Sequence, residues 1–490
     1  MKKILFIITL IICCSCDKYL DVQPSNVAYE PDLFSTRSGF EAALANVYFG
    51  LTSTDLYGRE MKYGFVETLV GYYKITSTSH ELYEASQYNY LHSKVNPFLT
   101  NFWNESYNLI NQCNIILQNL DNIKDDPYYN IIKGETLGLR SLIHFELLKY
   151  FGPCISVEGL SATAISYRDK VDYVATKFSS AQEFIDFLIR DLEEAELALQ
   201  NDPVITNSRS ANLNTNQYEQ YNSLIDKRGE RINYYGVKAM RAMVYQWKGD
   251  ASKAGEIAEE IIAELKLSPT FRLTIDSDLN NPTGLNVDIK MNMENLFGLY
   301  IRDLKTKATY YLPELATSVL ESNYYIYPDP NLGSSLYTEA PHGSTNDYRF
   351  GKWFGYNLAQ WRFIKYDTSS LPVNNTEYSN FYEIKMITLH QVYMIACESL
   401  VDTNLQKSID YFNEVRVARS LTALSSTGMT SDTLKEYLFK EVRKESIGDG
   451  NLFTTYKRMF RNIDREINVN ASLSIFKFPI PTEELTYNPN

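Results

Sequence analysis

The chain has 490 residues, a formal net charge of −13 and 44% hydrophobic residues. That acidic balance argues against nucleic acid, whose phosphates call for a basic surface. The length allows a large core and no Pro/Gly/Ser-rich linker divides it, so residues 16–490 read as one compact unit with long insertions.

The first residues give Lys2 and Lys3, the apolar run Ile4 to Ile12, and Ser15 ahead of Cys16. This is the order of a signal peptide over residues 1–15, and its apolar run is too short to cross a bilayer as a helix. Ser15-Cys16 resembles a bacterial lipobox, which makes Cys16 the candidate lipid anchor. Asp17-Lys18-Tyr19-Leu20-Asp21 then starts a polar tether directly after it. Several acyl chains would hold such a protein durably where one would not. An ordinary secretory peptide with incidental thiols is the plainer alternative. Cys13 and Cys16 also make a C-x-x-C spacing, but at a processing site that spacing points to neither redox nor metal chemistry. Cys113, Cys154 and Cys397 remain in the body; buried thiols are the expectation for Cys113 and Cys397, one bridge stays open, and disulfides do not organise the fold.

Helical spacing then recurs along the chain. Residues 38–51 place Phe40, Ala43, Leu44, Val47 and Tyr48 on one face, with Ser35 or Thr36 as cap. Residues 101–120 do so with Trp103, Tyr107, Ile110 and Leu117; residues 134–150 with Leu139, Leu142, Ile143 and Leu147, stopped at Gly152-Pro153; and residues 179–200 with Phe184, Leu188, Leu192 and Leu199. The segments 234–247 and 251–265, split by Gly249-Asp250, read as an antiparallel hairpin of the tetratricopeptide type. Residues 382–401 and 408–420 read as a second, and 434–444 as a further helix. The fold class is therefore mainly α: tetratricopeptide-like hairpins forming a scaffold, interrupted by irregular insertions at about 54–100, 201–229 and 267–371. Loops this long in a compact body are usually functional.

Tyrosine is the compositional outlier, with 38 Tyr beside 24 Phe and 4 Trp. Tyr63, Tyr72, Tyr73, Tyr83, Tyr88 and Tyr90 crowd one segment; Tyr310, Tyr324, Tyr356, Trp353 and Trp361 belong to another. Aromatic rings suit sugars, whose C–H faces stack on them while phenol hydroxyls bond the rim. Packing of loops onto the scaffold is the competing reading for each single ring, and for Trp103, Tyr107 and Trp247 it is preferred. Catalytic motifs are lacking: there is no H-E-x-x-H, G-x-S-x-G or Walker loop. His80, His92, His144, His342 and His390 make no metal-ligand pair at helical spacing. Two carboxylates could meet as a glycosidase pair, but nothing picks out which two. The chain reads as no enzyme and calls for no cofactor; whether it binds calcium is left open.

The order of several motifs resembles the SusD/RagB family of outer-membrane nutrient-binding lipoproteins over nearly the whole chain. Cys16-Asp-Lys-Tyr-Leu-Asp-Val-Gln-Pro24 is similar to the family's opening, and Trp103 to Leu117 to its W-x-x-x-Y…N-x-x-L helix. Arg140 through Tyr150-Phe151-Gly152-Pro153 follows, then Asp347-Tyr348-Arg349 as a D-x-R element. Asn413-Glu414-Val415-Arg416, Glu441-Val442-Arg443-Lys444-Glu445 with Gly450, and Phe478-Pro-Ile-Pro-Thr-Glu-Glu484 with Asn488-Pro-Asn490 complete it. Thr388, Gln391, Cys397-Glu398-Ser399 and Asp449 depart from the family pattern at scaffold positions. The resemblance implies a lipid anchor at the outer face of the outer membrane, capture of oligosaccharide, and delivery to a TonB-dependent transporter of the SusC type. It places ligand contacts in the loop before the W-x-x-x-Y helix and in the large insertion, here Glu81 to Pro97 and Tyr324 to Trp361. Tyr83, Tyr88, Tyr90, Trp353 and Trp361 are the candidate ligand residues. Peptide cargo in the same architecture, or an adaptor without small-molecule cargo, are the alternatives.

Overall fold

The computed structural model describes residues 30–172, 174–211, 213, 222–268, 270–280, 288–318, 323–367, 379–465 and 468–488. Residues 1–15 and Cys16 lie outside them.

The long helices fall where the apolar spacing puts them. They are α1 (Arg37–Leu51), α2 (Asn96–Asn119), α3 (Tyr129–Phe151), α4 (Ala181–Ala198), α5 (Tyr234–Lys248) and α6 (Ala251–Leu267). Thr36 caps α1 by accepting from the Gly39 amide, and Ser180 with Glu183 forms a capping box on α4. Between α5 and α6 the chain reverses at Gly249, where φ is 90°, and Asp250 caps the new helix. Only glycine adopts that backbone without strain. Successive helices pack on one another from α1 through α6 by way of their buried stripes.

After α6 the chain leaves this array and returns with α7 (Leu389–Leu400), α8 (Leu405–Ala418), α9 (Ser431–Glu445) and α10 (Leu452–Met459). Helix α7 packs on α6 and on α8, so the array continues across the insertion. The fold is mainly helical, as the spacing implies, with one correction. Residues 383–388, expected to open a helix, are a strand, β4 (Glu383–Thr388), paired antiparallel with β1 (Asn295–Tyr300). The helix starts only after Thr388, whose hydroxyl accepts from the Gln391 amide while the Gln391 side chain accepts from the Thr388 amide. The partner strand is remote in sequence, so local spacing does not reveal the pairing. A two-stranded hairpin, β2 (Phe354–Asn357) and β3 (Gln360–Phe363), lies in the insertion.

The dispersed motifs meet in the core. Arg349 and its neighbour Asp347 are joined at 2.8 Å, and Arg349 also reaches Glu441 at 2.5 Å and Glu445 at 2.9 Å, with all four residues buried. Arg419 binds Glu294 and Glu445, and Lys385 adds a third cation to Glu445. A second lock sets the Arg228 guanidinium between Asp202 and Glu135, which also holds Arg231 and accepts from the Tyr48 hydroxyl. A third is apolar: Phe478 packs on Tyr90, Tyr150, Phe151 and Phe453, and its amide donates to the Tyr150 carbonyl. Asp449 takes the Lys365 ammonium at 2.7 Å. Cys113, Cys154 and Cys397 are buried free thiols.

Candidate ligand-binding surface

Two ring pairs reach the surface on the insertion. The first is Tyr310 with Tyr324, ring centroids 5.1 Å apart and tilted by 51°. Beneath Tyr310 the Arg59 guanidinium sits 4.1 Å from the ring centroid, tied to Glu60 at 2.6 Å. The Tyr310 hydroxyl donates to Glu81 at 3.0 Å, and burial together with that carboxylate pushes the phenol up to about 12. The Glu81 amide donates to the Asn323 carbonyl, and the His80 ring meets the Tyr325 carbonyl at 3.1 Å. The segment around residue 80 and the segment around residue 324 are thus pinned to one another. Tyr324 is 45% exposed.

The second pair stands on the hairpin. Tyr356 and Trp361 are directly paired across β2 and β3, so both project from the same face, with centroids 5.2 Å apart. Tyr356 is 60% exposed, and Trp361 is half-buried against Phe350. The two-residue turn has positive φ at both Leu358 and Ala359, the twist that a tight hairpin demands. The hairpin is held down by the Arg362 guanidinium, which donates to the carbonyls of Glu314 and Thr317, and by the Asn357 amide on the Leu315 carbonyl. Both pairs are therefore anchored to the stretch 310–317. Half-exposed rings with phenol hydroxyls, flanked by Glu81, Arg59, Asn357 and Gln360, can stack on an apolar ligand face and bond its polar rim.

The five candidate residues separate. Trp361 stands on this surface, and Tyr83 is half-buried on the short helix Tyr83–Ser86. Tyr88 is half-buried, donates its hydroxyl to the Leu69 carbonyl and accepts from Arg465. Tyr90 and Trp353 have to be withdrawn as stacking platforms. Tyr90 is 5% exposed, donates to the Ile475 carbonyl and packs its ring on Phe478. Trp353 is wholly buried, with the ammonium groups of Lys365 and Lys385 at 4.4 and 5.5 Å from its ring centroid and its indole N–H donating to the Ile289 carbonyl at 2.7 Å. A large ring with a satisfied polar tip belongs to the core. In their place come Tyr310, Tyr324 and Tyr356. Tyr356 and Trp361 flank the hairpin turn, while Phe354 and Phe363, on the same face but farther from the turn, are buried and Trp353 closes the short helix Tyr348–Trp353; no local pattern marks Tyr310 with Tyr324.

Among the described residues one group could arrange itself about a cation: His390, Glu441 and Glu445, all buried. Arg349, Arg419 and Lys385 already occupy both carboxylates, so the protein's own cations fill that role. Glu60 is a carboxyl that burial pushes up to about 7, within the range of a general acid, but it is 1% exposed beneath Arg59 and Tyr311.

A family profile described as "Starch-binding associating with outer membrane" matches residues 18–223. SusD-like protein P2 of Formosa agariphila is 21% identical, over all of this chain and 98% of that relative. A SusD-like carbohydrate binding protein from Bacteroides vulgatus has a similar structure, with a TM-score of 0.69 at 16% identity over 92% of this chain and 96% of the other. A SusD superfamily protein from Bacteroides fragilis gives 0.70 at 17% identity, over 93% and 99%.

Proposed function

We propose that the chain is a SusD-like surface lipoprotein that binds oligosaccharide or polysaccharide and delivers it to a SusC-like TonB-dependent transporter, a reading supported by the profile match over residues 18–223 and by the SusD-like relative that aligns with the whole chain. The observation that carries the binding step is the pair of exposed ring clusters, Tyr310 with Tyr324 and Tyr356 with Trp361, on one anchored stretch. Each offers a tilted pair of faces with hydrogen-bonding groups at the rim, which suits a pyranose rather than an extended backbone. The anchor would be Cys16, which holds the protein at the outer membrane.

Two experiments test this. Calorimetry against a panel of plant and host polysaccharides yields a ligand for the full chain. Trp361→Ala and Tyr324→Ala each weaken that binding about tenfold, the roughly 1.4 kcal/mol expected of a ring at the centre of a contact. Unchanged affinity in both variants, or binding of peptides and of no sugar, would sink the reading. Separately, Cys16→Ser releases the protein from the membrane fraction, and retention of the variant in membranes would rule out that anchor.

A further inference from the structure

Among the helices lies a cavity of about 130 Å³, bounded by α3, α5, α7, α9 and α10, by strand β4 and by the loop of Tyr57 to Lys62. Its apolar wall is rich in thioethers: Met61, Met240, Met243, Met386 and Met394 all line it. Methionine packs around irregular apolar shapes without demanding one of them. The charges along the wall are mostly neutralised in place. Glu146 holds Lys149 at 2.5 Å, Glu398 holds Arg458 at 2.9 Å, Glu445 holds Lys385 at 2.7 Å, and Asp449 is taken by Lys365. The first two pairs are partly exposed and mark where the cavity meets the surface.

Lys62 is different. Its ammonium is buried and donates to two neutral acceptors, the carbonyls of Lys385 at 2.6 Å and Asp449 at 3.1 Å, with the Tyr57 ring centroid 5.6 Å away. Among the described residues no carboxylate forms an ion pair with it, and an ammonium has three N–H donors to satisfy. Burial pulls it down to about 8, while the Asp449 charge opposes that shift. Trp247, also on the wall, keeps a buried indole N–H without a partner among the described residues. Spare donors, a buried ammonium without a direct ion pair among the described residues and an adaptable apolar wall are complementary to one chemistry.

We propose that this cavity is a second binding site, independent of the ring surface, for a small monocarboxylate with an apolar body. The carboxylate meets Lys62, and the hydrocarbon lies along the methionines. Sugars, which carry hydroxyls all round, are a poor match to that wall. Calorimetry of the full chain with butyrate, hexanoate and octanoate, set beside 1-hexanol, tests it. Hexanoate binds at one site, and 1-hexanol, which lacks the charge, binds at least about tenfold more weakly, as expected for losing a hydrogen bond to a charged group. Lys62→Met removes the difference, and Trp247→Phe removes the change in indole fluorescence that hexanoate produces. The acid-against-alcohol comparison needs no variant, so a misfolded Lys62→Met would not spoil the test. No saturable hexanoate binding, equal binding of acid and alcohol, or displacement of hexanoate by the polysaccharide that the ring surface binds would each overturn the proposal.

Discussion

Arg349→Ala is expected to destabilise the protein by about 3–5 kcal/mol, the cost of leaving buried partners of an ion cluster uncompensated. The guanidinium is fully buried and faces three carboxylates, Asp347, Glu441 and Glu445. Lys444 stands 3.7 Å from Asp347 and from Glu441, and Lys385 and Arg419 cover Glu445, so the loss is partly cushioned. The exposed pair Lys435 with Asp402 supplies the contrast: Lys435→Ala costs less than about 1 kcal/mol, because solvent screens it and two flexible side chains are released. Denaturant melts of both variants check this, and equal losses would show that the cluster contributes no more than a surface pair.

The same cluster sets the response to acid. Burial alone would raise the Glu441 carboxyl, but Arg349 and then Lys444 outweigh it and hold the group well below the ordinary value of 4.5. Glu445 is likewise held low, against burial, by Arg419 and Lys385. A carboxyl depressed on folding adds stability that is complete above the unfolded value and drains away as the pH falls below it. The wild type therefore loses this contribution below about pH 4.5. Arg349→Ala has less of it to lose and shows a shallower fall over that range.

Trp353→Ala is expected to cost about 3–5 kcal/mol through the cavity it leaves. It also strips the Ile289 carbonyl of its donor and the Lys365 and Lys385 ammonium groups of a ring face. Trp361→Ala, on the exposed hairpin, lowers stability far less and acts on ligand affinity. Two tryptophans eight positions apart thus separate folding from binding, and thermal melts beside calorimetry read the two effects independently. A Trp353→Ala variant with wild-type stability and weakened sugar binding would restore that ring to the site.

Much of this molecule is legible from local pattern. Apolar spacing locates α1 through α6, α8 and α9, because a helix closes its own hydrogen bonds and shows its buried face every three or four residues. Thr36, Gly249 and Gly152-Pro153 mark ends for equally local reasons. The motifs from Trp103 to Phe478 carry the resemblance to the SusD-like proteins, and Asp347-Tyr348-Arg349 with Glu441 to Glu445 contains an ion cluster that only folding assembles. Tertiary structure decided what depends on partners remote in the chain. The segment 383–388 is a strand because β1 lies beside it, and Trp353 is core because two lysines and the Ile289 carbonyl close over it. Tyr310 and Tyr324 become a surface pair because Glu81 and His80 pin their segment. Ring counts state how much aromatic surface a chain carries; which rings meet solvent is fixed by what packs against them, and that is a property of the whole fold.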